Sequence, residues 1–359
     1  MVAAALLGPG IASPPQSVTR PTPRIAAGGS VRGGIGSTSS TPASPAASTG
    51  SALGGQTAFA GSAAPGASTV PSRSTVPGAP VVAGHASAGT VAQYRLAAPW
   101  VGGTSRFANV WVYTPHGYTA SGARYPVLYE VPWGGDGWNA GIGVFRMLDT
   151  LIAAGDMPPS IVVFVNQAQG PYRPSECADS WDGREWFDTY VAATVVPWVD
   201  GRFRTIAVPL ARTLIGFSQG GYCAPTLLLH HPNEFGNAVS FSGYYEAGIY
   251  SSETRTAWLP FGRDPALIAR DSPLTLANHL PSAERAKLFL VLVGVPSEPF
   301  YGPQLTAFAR VLAAAGYPHE VIDAPVGHSW RQVRLTFATA IAAVWSHQRA
   351  AGLVTPPPA

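Results

Sequence analysis

Acidic residues are missing from the first quarter of this 359-residue chain. Residues 1–90 hold no Asp or Glu, one aromatic (Phe59) and four arginines, Arg20, Arg24, Arg32 and Arg73. The rest of that stretch is largely Ala, Gly, Ser, Thr and Pro without a period. It cannot bury enough apolar surface to offset the roughly 1–2 kcal/mol of backbone entropy lost per ordered residue. Residues 1–89 are therefore expected to be a disordered, low-complexity arm. Met1–Ile11 is apolar but lacks the positive start of a secretory signal, and reads either as a signal remnant or as more of the arm.

Charge is scarce throughout, at 11% of residues, and Lys287 is the only lysine. The formal net charge of +3 comes from the arm; without its four arginines the balance is 18 basic against 19 acidic residues. With no basic cluster, nucleic acid is not an expected partner. No apolar run reaches 18 residues, so no membrane span is expected. No His/Cys/Asp group has metal-ligand spacing, and neither G-x-G-x-x-G nor G-K-[ST] occurs. No cofactor or metal is therefore expected.

From about Thr90 the texture changes. Val91–Ala98 and Phe107–Pro115 read as an antiparallel opening pair. Tyr125–Val131 and Ile161–Asn166 are dense apolar runs, as a sheet covered on both faces requires. Further strands are expected at Arg212–Phe217, Ala238–Ser242, Leu288–Gly294 and His319–Asp323. Helices are expected over 143–154, 185–200, 219–231, 302–315 and 330–347. Strand and helix alternate, so the class is α/β with a mostly parallel sheet and helices on both faces, in one domain over 90–350. Residues 351–359 form a Pro-rich tail.

The strongest chemical signal is Gly216-Phe217-Ser218-Gln219-Gly220, a G-x-S-x-G between a strand and a helix. The serine of such an elbow sits at a sharp, strained turn, and the flanking glycines come too close for a Cβ. Ser218 is the candidate nucleophile, and the N–H of Gln219 opens a helix whose positive end faces a developing oxyanion. The base should follow the last strand, which selects His328 in Gly327-His328-Ser329-Trp330. The acid should follow the preceding strand, and Glu298 is the only carboxylate between Lys287 and Glu320. Asp323 is the runner-up. The second oxyanion donor belongs to the loop Pro132-Trp133-Gly134-Gly135, where proline has no N–H, leaving Gly134 or Trp133.

These segments together resemble the esterase D / antigen 85 branch of the α/β-hydrolases, the "putative esterase" family. YPVLYEVPWGGDGW resembles its strand and oxyanion loop, VVPWVDGRFRT the helix before the elbow strand, GFSQGGYCA the elbow and GHSW the histidine loop. The match runs from about Tyr125 to Trp345. It implies an α/β-hydrolase fold and a cofactor-free esterase or acyltransferase, often exported, with Ser218, Glu298 and His328 as its triad. Three departures stand out. Pro132-Trp133 replaces the family's His-Gly, Pro225 falls inside the elbow helix, and Glu130 puts a charge in an apolar strand.

Two cysteines remain, Cys177 in the long loop Gln167–Gly183 and Cys223 on the elbow helix. They are either two buried thiols or one bridge, and similarity to exported actinobacterial esterases of this family favours the bridge. A secreted or envelope-associated protein is expected accordingly. Trp133, Trp138, Trp181 and Trp186 either pack the core, the favoured reading, or line a sugar-stacking cleft. Three functions compete: hydrolysis of carboxylic esters of small molecules, glycans or lipids; acyl transfer to a sugar hydroxyl, as antigen 85 proteins perform it; and a non-catalytic binding module on the same fold.

Overall fold

The computed structural model describes residues 88–98, 107–166, 171–172, 175–249 and 256–357. All but the last two residues of the expected arm lie outside the described residues. One of those two, Gly89, donates its N–H to the Asp149 carboxylate at 2.7 Å.

The elements in order begin with β1 (Thr90–Ala97), β2 (Phe107–Thr114), β3 (Val127–Glu130), α1 (Gly134–Ile142), α2 (Val144–Ala154) and β4 (Ile161–Val165). Next come α3 (Phe187–Tyr190), a π-helical turn over Val191–Val195, α4 (Val196–Arg202), β5 (Arg212–Phe217), α5 (Gln219–His230) and β6 (Asn237–Phe241). Three short helices follow, α6 (Pro265–Arg270), α7 (Pro273–Leu276) and α8 (Ser282–Arg285). The chain then runs through β7 (Phe289–Gly294), α9 (Tyr301–Ala315), β8 (His319–Asp323) and α10 (Trp330–Ala350).

Among the described residues the strands form one sheet, in the order β1-β2-β4-β3-β5-β6-β7-β8. The pairs β1–β2 and β2–β4 are antiparallel and all others parallel, which is the α/β-hydrolase arrangement. The central strands β3, β4, β5, β6 and β7 are buried at every residue, as their unbroken apolar runs require. One core packs Trp138, Leu148, Val333 and Phe337 against the sheet; the other packs Val195, Val199, Leu227, Leu228 and Phe308.

Every expected strand forms, within a few residues of its expected ends. The elements not foreseen are α1, whose glycine-rich start reads as loop, and the short α6, α7 and α8. Pro225 does not break α5. A proline at that position cannot donate to the carbonyl four residues back. That carbonyl, of Gly221, accepts instead from the Ser240 hydroxyl at 2.6 Å. The described part of the tail turns back on α10, with Leu353 N–H donating to the Gln348 carbonyl at 2.9 Å.

Candidate active site

The loops at the carboxyl ends of β3, β5, β7 and β8 carry the candidate residues, the edge where parallel sheets place their sites. Ser218 lies between β5 and α5 with φ 60° and ψ −117°, a conformation a non-glycine residue holds only where its surroundings enforce it. The neighbours do enforce it. A Cβ on Gly216 would stand 2.2 Å from the Gly220 carbonyl oxygen, and one on Gly220 would stand 2.3 Å from that of Val131. Ser218 N–H is tied to the Phe241 carbonyl at 2.9 Å. Gln219 begins α5, and its buried side-chain Nε2 has no partner.

His328 sits in the loop before α10. Its imidazole is stacked on Tyr301 (ring centres 4.1 Å apart, planes 2° apart) and on Phe217 (4.7 Å, 28°). The Tyr301 hydroxyl is 3.3 Å from Nε2. Burial alone pushes the imidazole pKa down to about 4, because the charged form is the one that loses solvent. Nδ1 is buried without a partner. Glu298 approaches the same residue through the main chain, both carboxylate oxygens accepting from His328 N–H, at 3.0 and 3.2 Å. Asp323, the runner-up acid, is exposed at the end of β8, and among the described residues no hydrogen bond joins it to His328. Nor does one join Ser218 Oγ to His328. The resting arrangement therefore brings Glu298 and His328 into contact while the imidazole is held between two rings.

The histidine loop is braced from below by Gln332, which sequence reasoning missed. Its Oε1 accepts from Ser242 Oγ at 2.6 Å, and its Nε2 donates to the Val326 carbonyl at 2.9 Å. Tyr301 was missed too. Its only sequence signal is a position three residues after the candidate acid.

The β3–α1 loop departs from expectation. Gly134 N–H, the expected second oxyanion donor, is given to Glu130 Oε2 at 2.8 Å. The other candidate, Trp133 N–H, is given to Glu130 Oε1 at 3.1 Å. The acid that looked anomalous in an apolar strand thus satisfies two main-chain donors at the start of α1. Trp133 Nε1 donates to the Phe217 carbonyl at 2.9 Å, fastening this loop to the elbow strand.

Cys177 and Cys223 form a disulfide, with both residues fully buried. It joins the β4–α3 connection to α5. Beside it the fully buried Glu176 accepts from the Tyr244 hydroxyl at 2.8 and 3.0 Å. Burial pushes its carboxyl up to about 8, against the smaller lowering effect of that hydroxyl. Of the four tryptophans, only Trp138 packs in the core. Trp133, Trp181 and Trp186 are 41%, 60% and 38% exposed, a correction to the core reading. Among the described residues no His/Cys/Asp/Glu group could hold a metal ion, and no helix is long and apolar enough to cross a membrane.

Residues 103–350 match the family described as "Putative esterase". Esterase Rv1288 of Mycobacterium tuberculosis is 28% identical over 252 residues, covering 62% of this chain and 53% of that protein. The MPT51/MPB51 antigen of the same organism is 32% identical over 123 residues, 34% of this chain and 38% of the antigen. The chain thus spans about half the length, or less, of these two relatives. Among solved structures, the fluorophosphonate-binding serine hydrolase FphF of Staphylococcus aureus superposes with a TM-score of 0.60 at 16% identity. That superposition covers 72% of this chain and 99% of FphF.

Proposed function

The chain belongs to the "Putative esterase" family, and from that premise we propose that it cleaves carboxylic esters through an acyl-enzyme on Ser218. The observation that carries this reading is the Ser218 backbone, held at φ 60° by glycine contacts that leave no room for any side chain. Such strain is retained where it presents a nucleophile at the head of a helix.

In the proposed sequence the imidazole of His328 leaves the Tyr301 hydroxyl and turns Nε2 to Ser218 Oγ. As Oγ bonds to the ester carbon, its proton passes to Nε2 and the carbonyl electron pair moves onto oxygen. Gln219 N–H, at the positive end of α5, meets that oxyanion. Collapse expels the alcohol, which takes the proton from His328, and a water repeats the steps to release the acid. Glu298 completes the triad by accepting Nδ1–H, which fixes the tautomer and stabilises the imidazolium.

A second reading, acyl transfer to a sugar hydroxyl in place of water, is favoured by the exposed indole of Trp133 on the elbow strand, an apolar plane on which a sugar can stack. The disulfide supports an oxidising location outside the cytosol. The test is a screen of p-nitrophenyl esters of increasing chain length, with and without trehalose. Release of p-nitrophenol supports the esterase reading, a new sugar ester supports transfer, and neither product from any ester contradicts both.

A further inference from the structure

Glu130 is fully buried in β3, on the same face of the strand as Leu128, and among the described residues it has no cationic partner. Its two oxygens instead take two successive main-chain donors, Trp133 N–H and Gly134 N–H. Those residues have right-handed helical dihedrals (φ −83°, ψ −18°) and then a positive φ of 71°. Successive N–H groups in that alternation form a concavity that binds an anion. An acyl-transfer site needs such a concavity for its oxyanion, and here the carboxyl group of an internal glutamic acid fills it.

One N–H cannot be directed both at an oxygen inside the core and at an oxyanion beside Ser218. The hydrogen bond it now makes is to a fully buried carboxyl, which burial pushes well above the usual carboxylate range against the smaller lowering effect of these same N–H donors. The rest of the loop is fixed on either side. Trp133 Nε1 holds the elbow strand, and a Cβ on Gly134 would stand 3.2 Å from Asn166 Cβ. Motion is therefore confined to the 133–134 peptide, and glycine at 134 is the residue that allows its plane to turn.

We propose that Glu130 is a positioning residue that holds the second oxyanion donor, Gly134 N–H, withdrawn in the empty protein. The donor reaches the substrate only when the Trp133–Gly134 peptide turns from Glu130 to the ester oxygen. This rests on the hydrolase reading above.

The test compares the full-length chain with its Glu130→Leu and Glu130→Gln variants, each checked for fold by circular dichroism. Two quantities are read for one acyl group: kcat and KM on its p-nitrophenyl ester, and Ki for its trifluoromethyl ketone. The ketone adds Ser218 Oγ to its carbon, passes the serine proton to His328 and leaves an oxyanion for the donors. Glu130→Leu frees both N–H groups, so kcat should rise and Ki fall by about tenfold each, part of what a whole oxyanion donor is worth. KM, which reports the uncharged ester, should change less than twofold. Glu130→Gln keeps the shape but offers one acceptor oxygen where the acid has two, so one of the two N–H groups loses its partner, and it should move both quantities the same way by a smaller factor. It decides the matter if the leucine variant does not fold.

Unchanged or worsened kcat and Ki in the folded variants would overturn the proposal and leave the hydrolase intact. If neither wild type nor variants turn over any ester or take up a fluorophosphonate, the hydrolase reading fails and this proposal with it.

Discussion

Glu298 holds His328 by its main chain, both carboxylate oxygens meeting the His328 N–H while Nδ1 of the ring lies buried and unpartnered. A carboxylate already in contact with the residue needs only a turn of the imidazole to meet Nδ1. That contact ties the β7 loop to the β8 loop whatever the ring orientation.

Glu298→Gln should therefore cut kcat by roughly 10²–10⁴-fold, because a neutral partner neither fixes the tautomer nor stabilises the imidazolium. Asp323→Asn, at an exposed residue with no hydrogen bond to His328, should change kcat less than threefold, within the ordinary scatter of surface substitutions. Steady-state kinetics on one p-nitrophenyl ester check both. The reverse order of effects would move the acid to the β8 loop.

The imidazole works as a base only when neutral, and burial holds its pKa near 4. The acid limb of kcat/KM, which reports the free protein, should fall near pH 4 rather than near the ordinary 6.5. Activity should stay level from about pH 5.5 through neutrality. Tyr301→Ala opens one side of the ring stack to solvent and should shift the limb upward. A wild-type limb at 6.5 would mean that the ring is solvated before substrate arrives.

Glu176 gives a separate pH signature, in stability. Its carboxyl is raised to about 8 in the folded protein against an ordinary 4.5. Between those values the folded state keeps a proton that the unfolded chain has released, so stability falls as pH rises across that window. One proton gives at most about 1.4 kcal/mol per pH unit. Glu176→Gln should remove that slope in urea unfolding between pH 5 and pH 8. An unchanged slope would show that Glu176 is ionised in the fold.

The Cys177–Cys223 bridge links residues 46 apart, which in the chain-entropy model is worth about 3–4 kcal/mol. Both thiols should resist alkylation until reductant and denaturant are added together. Reduced protein should melt at lower temperature and show a raised KM with kcat less affected, because the bridge steadies a loop and not the reacting atoms. Ready alkylation of native protein isolated from its own compartment would refute the bridge and remove the main support for an exported location.

Much of this architecture was legible because its signals are local. The β5 run ends at Phe217, next to the nucleophile, and Gly216 is demanded by a contact four residues away, with the Gly220 carbonyl. The strand β7 was equally plain, since a strand buried on both faces needs an unbroken apolar run. Side-chain partners across the sheet were not legible. Nothing in the chain order says that Ser240 will take the carbonyl Pro225 leaves open, or that Gln332 will reach Ser242 90 residues away. The oxyanion loop misled for the same reason. Gly134 was chosen by elimination along the sequence, and its N–H is claimed by a carboxyl group four residues earlier whose direction only the fold reveals. The three exposed tryptophans were misjudged because indole is apolar enough to suit a core and amphipathic enough to suit a surface.

The whole mechanism turns on Ser218 as the nucleophile. Incubation with a fluorophosphonate, followed by intact mass and peptide mapping, tests it most directly. One adduct per chain is expected, on Ser218, absent in Ser218→Ala, whose kcat should be lower by about 10⁶-fold. No adduct, an adduct on another residue, or a Ser218→Ala variant within tenfold of wild-type activity would contradict it.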